Sequence, residues 1–241
     1  MTADSQARIL MIIPTLNEEK SIGDVVNGAR QVVGCDILVI DGYSRDKTVE
    51  VARRNGAMVV QVAKALGIAG AIETGILYAY RNNYNYLVRI DGDGQHRPTD
   101  VLRLLEVIKT GEADFVIGSR FLGKSEYQPN ALRHSSIGII SLLLRLLYRV
   151  RVTDVTSGCQ QYNRELIEFF ASDPSFEYSE VRAIWTAHKA GFKIKEEFIN
   201  MAPRSAGVSS FSPMVGLIYM FKNLVDLILS VPVSIGRRGR R

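Results

Sequence analysis

Residues 86–95 read Tyr-Leu-Val-Arg-Ile-Asp-Gly-Asp-Gly-Gln, an apolar run that breaks abruptly into a turn of alternating acid and glycine. So short and apolar a run has the character of a strand buried on both faces, the kind found in parallel sheets enclosed by helices. The flanking segments repeat the arrangement. Residues 8–13 form a similar run closed by Pro14, after which Ile22, Val25, Val26, Ala29, Val32 and Val33 recur at helical spacing. Residues 36–41 make a second strand, 48–55 a helix with Gly56 placed to cap it, 58–62 a third strand and 69–80 another helix. Downstream, Pro98 sits where a first helical turn begins, 101–108 carries helical periodicity and 115–119 is a fifth strand. This alternation predicts an α/β fold, a mostly parallel sheet with helices on both faces. From residue 131 the pattern changes. The stretch 137–150 is apolar except for Ser141, Arg145 and Arg149, an amphipathic helix with a basic stripe. A strand and turn at 154–162, helices at 164–170 and 178–189, and an edge strand at 193–200 complete the reading.

Composition narrows the function. With 46% apolar and 23% charged residues in a chain of 241, a sizeable core is expected and wholesale disorder or coiled coil is excluded. Cys35 and Cys159 lack CxxC spacing, so neither a disulfide framework nor a cysteine zinc site is indicated, and no secretory leader opens the sequence. A protein of the cytoplasmic compartment is the expectation. Of the formal net charge of +5, four charges come from Arg237, Arg238, Arg240 and Arg241, so the body is not a nucleic-acid binder by charge. A basic tag behind an apolar segment suits an anionic membrane surface instead. In residues 214–233, eleven Val, Ile, Leu or Phe stand against Lys222 and Asp226, an insertion balance close to zero. Lys222, Asp226 and Ser230 form one narrow polar stripe. An in-plane interfacial helix follows from this, with burial against a partner subunit as the competing reading. The chain thus divides into a domain of residues 1–211 and an amphipathic helix with basic tail, 212–241.

In open α/β sheets, ligands lie beyond the carboxyl ends of the strands. Those ends are here Pro14-Thr15-Leu16-Asn17-Glu18, Asp41-Gly42-Tyr43-Ser44 and Asp91-Gly92-Asp93-Gly94-Gln95. Three acidic or amide-rich ends on one edge point to a cationic or richly hydroxylated ligand. Asp91 and Asp93 are two apart, so strand alternation projects both carboxylates to one side, where Gln95 joins them. Oxygen donors of this kind suit Mg²⁺ or Mn²⁺ bridging a diphosphate. No GxGxxG follows the first strand, which removes the usual support for hydride transfer. Arg120, Arg133 and Arg204 are cations placed outside these ends, suited to gripping an acceptor phosphate. His96 reads as a support for the acidic turn rather than a base.

These segments carry a resemblance. Residues 13–19 (IPTLNEE), 41–48 (DGYSRDKT), 91–96 (DGDGQH), 118–120 (GSR) and 154–158 (DVTSG) resemble, in order, the motifs of family 2 glycosyltransferases, most of all the dolichyl-phosphate mannose synthase branch. The resemblance covers about residues 8–212. It implies a Rossmann-like GT-A fold, with Pro14, Thr15, Leu16, Asn17, Glu18, Asp41 and Asp91 at the nucleotide sugar (GDP-mannose or a UDP-hexose) and Asp91, Asp93 and Gln95 at the metal. Asp93, Arg120 and Arg133 would carry catalysis, and Arg120, Arg133 and a lid at Arg204 would hold dolichyl or another polyprenyl phosphate. The implied enzyme is a metal-dependent inverting hexosyltransferase, peripheral on the cytoplasmic face of a membrane, alone, as a homo-oligomer or with a partner subunit. Because a phosphate acceptor is already ionised, its second pKa being near 6, it needs no general base. A saccharide hydroxyl acceptor would need one, with Glu177 and Glu180 available. A catalytically silent nucleotide-sugar-binding subunit is the third reading.

Overall fold

The computed structural model describes residues 7–32, 34–126, 131–173 and 177–202, together with Lys222, Asn223 and Val225; the side chains of Ala65 and of 131–133 lie outside that description. Strand β1 (Ile9–Thr15) is buried along its whole length. Its side chains divide by period two: Leu10 and Ile12 enter one core, Ile9, Met11 and Ile13 the other. An unbroken apolar run is what a strand covered on both faces requires.

The chain continues through α1 (Ile22–Ala29), β2 (Cys35–Asp41), α2 (Thr48–Arg54), β3 (Met58–Gln61), a 3₁₀ turn (Lys64–Leu66), α3 (Gly67–Arg81), β4 (Tyr86–Arg89), α4 (Pro98–Lys109) and β5 (Phe115–Ser119). Pro98 opens α4 at its first turn, as its lost N–H permits, and Gly56 ends the α2 turn at φ +83. Helices α1, α2 and α4 pack on one face through Val26, Ala52 and Leu104. On the other, Ile72 of α3 joins α5 (Ala131–Tyr148), α6 (Arg164–Ser172) and α7 (Glu180–Lys189) through Leu144, Ile167 and Ile184.

The seven strands lie in the order β3-β2-β1-β4-β6-β5-β7, where β6 is Gln160–Asn163 and β7 is Ile194–Phe198. All run parallel except β6, which is antiparallel to both β4 and β5. Strand β7 forms one edge, as its sequence suggests. Because β6 runs backwards, its start at Gln160 lies beside Arg89 and Ile117 near the carboxyl ends of β4 and β5. The chain leading into it, from Asp154, therefore enters the edge at which the other strands end.

Three expectations need correction. The stretch 154–159 is loop, and the strand begins only at Gln160. Helix α5 starts at Ala131, well before 137, and stops at Tyr148 because Arg149 turns to φ +59. Its proposed polar stripe is accordingly interrupted: Ser141 donates to the Val152 carbonyl and Arg149 leaves the helix. The interfacial helix and basic tail, 212–241, lie outside the described residues except for three helical positions. There, Lys222 Nζ reaches Glu177 Oε1 at 2.5 Å, and Ser179 Oγ donates to Asn223 Oδ1 at 2.8 Å. Among the described residues no helix is long and apolar enough to cross a membrane.

Candidate active site

The loops after β1 and β2 are laced together. Asn17, one of the few residue types that accepts a left-handed backbone, does so at φ +57, donates its N–H to Ser44 Oγ and accepts from Arg45 N–H at Oδ1. Glu18 N–H donates to Thr48 Oγ1, and Gly42 N–H to the Thr15 carbonyl. Asp41 is fully buried; its Oδ2 accepts from Tyr43 and Ser44 N–H and from Gln61 Nε2. Its Oδ1 and the nearby Thr15 Oγ1 are buried without a hydrogen-bond partner. A buried acceptor left unmatched costs about 1–3 kcal/mol, so this pair fits a ligand that brings hydroxyl or N–H groups. Leu16 remains 42% exposed beside them, and Pro14 pairs in register with Ile40.

Strand alternation does not aim the acidic pair, because β4 ends at Arg89. The turn itself sets the directions. Asp93 Oδ1 accepts from Gln95 N–H at 3.1 Å, while Gln95 Nε2 donates to the Ala202 carbonyl, leaving the amide oxygen as its ligand atom. Asp91 lies between Arg89 Nη2 and His96 Nε2, each 3.6 Å away, with Gly158 packed against its carboxylate. A Cβ on Gly158 would stand 2.1 Å from Asp91 Oδ2, so only glycine leaves the carboxylate in place. Burial by itself would raise the Asp91 carboxyl. The nearby His96 imidazole and the charges of Arg89 and Arg120 outweigh it and hold the group well below the usual carboxylate range.

Asp91, Asp93 and Gln95 offer two carboxylates and an amide oxygen, and among the described residues no cluster of three His, Cys, Asp or Glu side chains could cage a metal. That donor set fits a hard cation which completes its shell with substrate phosphates, the usual arrangement for Mg²⁺. The His96 side chain is 3% exposed, and neither of its ring nitrogens has a hydrogen-bond partner.

Arg120 enters as half of a buried ion pair rather than as an isolated cation. Its Nε and Nη2 each donate to Asp154 at 2.6 Å, and Nη2 also reaches Thr156 Oγ1. Asp154 is in turn fixed by Glu196 of β7, which accepts from the N–H groups of Thr153 and Asp154. Arg133 is in the first turn of α5, its side chain outside the description, and Arg204 lies outside the described residues.

The sequence reading passed over Arg89. This guanidinium is 1% exposed, donates to Tyr178 Oη at 2.8 Å and to Glu180 Oε1 at 2.9 Å, and lies beside Asp91. Tyr178 Oη donates onward to Gln160 Oε1; burial pushes this phenol up to about 12, so it stays protonated. The signal was present: a charge inside the run YLVRI must find buried partners.

A family model described as Glycosyl transferase family 2 spans residues 11–170. The chain belongs to that family. This family 2 glycosyltransferase is 31% identical over 219 residues to the polyprenol monophosphomannose synthase of Mycolicibacterium smegmatis, covering 85% of this chain and 81% of the relative. It is 32% identical over 216 residues to the undecaprenyl-phosphate mannosyltransferase of Micrococcus luteus, covering 85% and 88%. Its structure superposes on glucosyl-3-phosphoglycerate synthase from Mycobacterium tuberculosis, solved with Mn²⁺ and UDP-glucose, at a TM-score of 0.70 and 23% identity over 95% of this chain and 81% of that one. That likeness establishes the GT-A fold of the family 2 glycosyltransferase.

Proposed function

We propose that the chain transfers a hexose from a nucleoside-diphosphate sugar to dolichyl or another polyprenyl phosphate, with inversion, as a peripheral enzyme at the cytoplasmic face of a membrane. What carries the reading is one juxtaposition: an oxygen-donor turn at the end of β4 with the loop 154–158, which holds Arg120 through Asp154 and packs Gly158 against Asp91. It is supported by relatives named for transfer to polyprenyl phosphates.

Thr15 Oγ1 and Asp41 Oδ1 would take the nucleoside's donors, framed by Pro14, Leu16, Asn17 and Glu18. Asp91, Asp93 and Gln95 would hold Mn²⁺ or Mg²⁺, which would neutralise charge on the departing diphosphate. Asp154 and Glu196 fix the direction of Arg120, and Arg120, Arg133 and Arg204 bind the acceptor phosphate. A phosphate oxygen forms the new bond to the anomeric carbon as the bond to the diphosphate breaks, which inverts the configuration and moves no proton. The hydroxyl-acceptor alternative is less well served. The hydrogen bond from Lys222 lowers the Glu177 carboxyl, making it a weaker base, and Glu180 is engaged by Arg89.

The test incubates the protein with GDP- and UDP-sugars, Mn²⁺ and polyprenyl phosphate, and extracts the lipid phase. A glycosyl phospholipid labile to mild acid is expected, with transfer lowered at least a hundredfold in Asp93→Asn while circular dichroism is unchanged. Label confined to aqueous saccharides, or undiminished transfer by Asp93→Asn in chelator, contradicts the proposal.

A further inference from the structure

Residues 177–180 face two ways. Ser179 is extended, at φ −144 and ψ 156, so its side chain points away from those of Tyr178 and Glu180. The even-numbered pair meets the buried Arg89: Tyr178 Oη accepts from Nη1 at 2.8 Å and Glu180 Oε1 from Nη2 at 2.9 Å. The odd-numbered pair meets the C-terminal helical residues, through the Lys222–Glu177 ion pair and the Ser179–Asn223 hydrogen bond. Between the two sets, Tyr178 N–H donates to Glu73 Oε1 of α3 at 2.7 Å and pins the backbone.

The two outer contacts are unequal. Lys222 and Glu177 are 58% and 60% exposed, and a pair so open to solvent fixes little. Asn223 is 3% exposed, and its Oδ1 accepts from the Ser179 hydroxyl. The same hydroxyl oxygen accepts from Arg182 N–H and so caps the first turn of α7, in which Glu180 stands. Asn223 therefore ties down the residue from which α7 starts, and α7 starts with the carboxylate that holds Arg89. On its far side Arg89 Nη2 lies 3.6 Å from Asp91 Oδ1. A guanidinium is a rigid plane, so the partners on Nη1 and Nη2 decide which edge it turns to Asp91.

We infer that Tyr178 and Glu180 are positioning residues for Asp91, acting through Arg89, and that Asn223 sets them through Ser179. Seating of the C-terminal helical residues on 177–179 then decides whether Asp91 is directed for a cation. The inference deepens the proposed function and rests on it for the role of Asp91 as a metal ligand, while the link from Asn223 to Arg89 rests on the contacts themselves.

The experiment uses the full chain and reads two signals. The first, in metal-free protein, is the ¹⁵N spectrum of the Arg89 guanidinium, assigned by its loss in Arg89→Lys. Held at both Nη atoms, the group should give separate, slowly exchanging resonances. The second is the affinity for Mn²⁺ in the presence of UDP or GDP, read from the paramagnetic resonance of free Mn²⁺. Ser179→Gly deletes the hydroxyl but keeps a residue that helix N-termini accept, and Asn223→Leu deletes the acceptor. Each should merge the Arg89 resonances and weaken Mn²⁺ binding about fivefold or more, with the double variant no worse than either single one. Ser179→Thr, which keeps the hydroxyl, and Lys222→Gln, at the exposed pair, should match wild type in both signals. Unchanged Arg89 resonances in Ser179→Gly and Asn223→Leu overturn the inference, as does a Ser179→Thr protein that behaves like Ser179→Gly. Merged resonances with unaltered Mn²⁺ affinity overturn it too, because Arg89 would then move without redirecting Asp91. Failure of the wild type to bind Mn²⁺ at all would contradict the proposed function, and the Arg89 spectrum alone would then decide whether Asn223 reaches β4.

Discussion

A guanidinium with 1% of its surface exposed, set in a central strand, has to find its counter-charges inside the protein, and Arg89 finds them in Glu180 and Asp91. Arg89→Met would leave two carboxylates without their cation, and breaking a buried pair from one side costs about 3–5 kcal/mol. Urea denaturation should register that loss, and a change below about 1 kcal/mol would show that Glu180 and Asp91 are satisfied elsewhere. The same neighbours predict an acid response. The folded-state pKa of Asp91 lies below that of an unfolded aspartate, about 3.9. Its contribution to stability is therefore present above about pH 4 and is lost as pH falls through the folded value. In metal-free protein, Asp91→Asn should show a shallower fall of Tm on acidification below pH 4 than wild type; curves of equal steepness contradict this. At this scale the sequence was half legible. The acidic turn announces itself in residues 91–95, and Arg89 stands out as a charge in an apolar run. Its partners Tyr178 and Glu180 lie about ninety positions away, and a single sequence holds no rule that joins them.

In helix α3, Gly75 faces β1 and β2 so closely that a Cβ there would stand 2.8 Å from Ile12 Cδ1 and 2.9 Å from Ile40 Cδ1. Alanine would gain up to about 1 kcal/mol of helix propensity, while overpacking a filled core costs about 1–3 kcal/mol. The balance is a net loss near 1 kcal/mol. Gly75→Ala should lower Tm by about 2–4 °C in a thermal scan, and a raised Tm would mean that the two isoleucines can move aside. The elements most easily read from sequence were those whose apolar spacing alone defines them, such as β1 and α4. The start of α5 was missed because Arg133, His134, Ser135 and Ser136 carry no apolar period, although the helix runs through them. The direction of β6 was equally hidden, since Gln160-Gln161-Tyr162-Asn163 reads the same whichever way the strand runs.

Across the whole molecule, the proposed function predicts that nucleotide and metal bind cooperatively, because Asp91, Asp93 and Gln95 would supply only two carboxylates and an amide to the cation, while the unpartnered Thr15 Oγ1 and Asp41 Oδ1 would face the nucleoside. A ligand at about 100 times its Kd adds about 2.7 kcal/mol to stability. UDP or GDP together with Mn²⁺ should raise Tm by several degrees, and Mn²⁺ alone by much less; additive, independent shifts would contradict a shared site. The order of motifs along the chain foretold this edge of the sheet. What it did not foretell is that Asp154 and Gly158 reach the edge by preceding an antiparallel strand instead of following a parallel one. That reversal has a cost during synthesis. Strand β4 is complete at Arg89, but the strand that pairs with its free side begins only at Gln160, and at about 5–20 residues per second a ribosome needs roughly 4–14 s to make the interval. For that time the nascent sheet presents an open edge next to its acidic turn, the kind of template on which neighbouring chains add strands. Chaperone capture of this enzyme should therefore concentrate on nascent chains whose emerged length falls between these two strands.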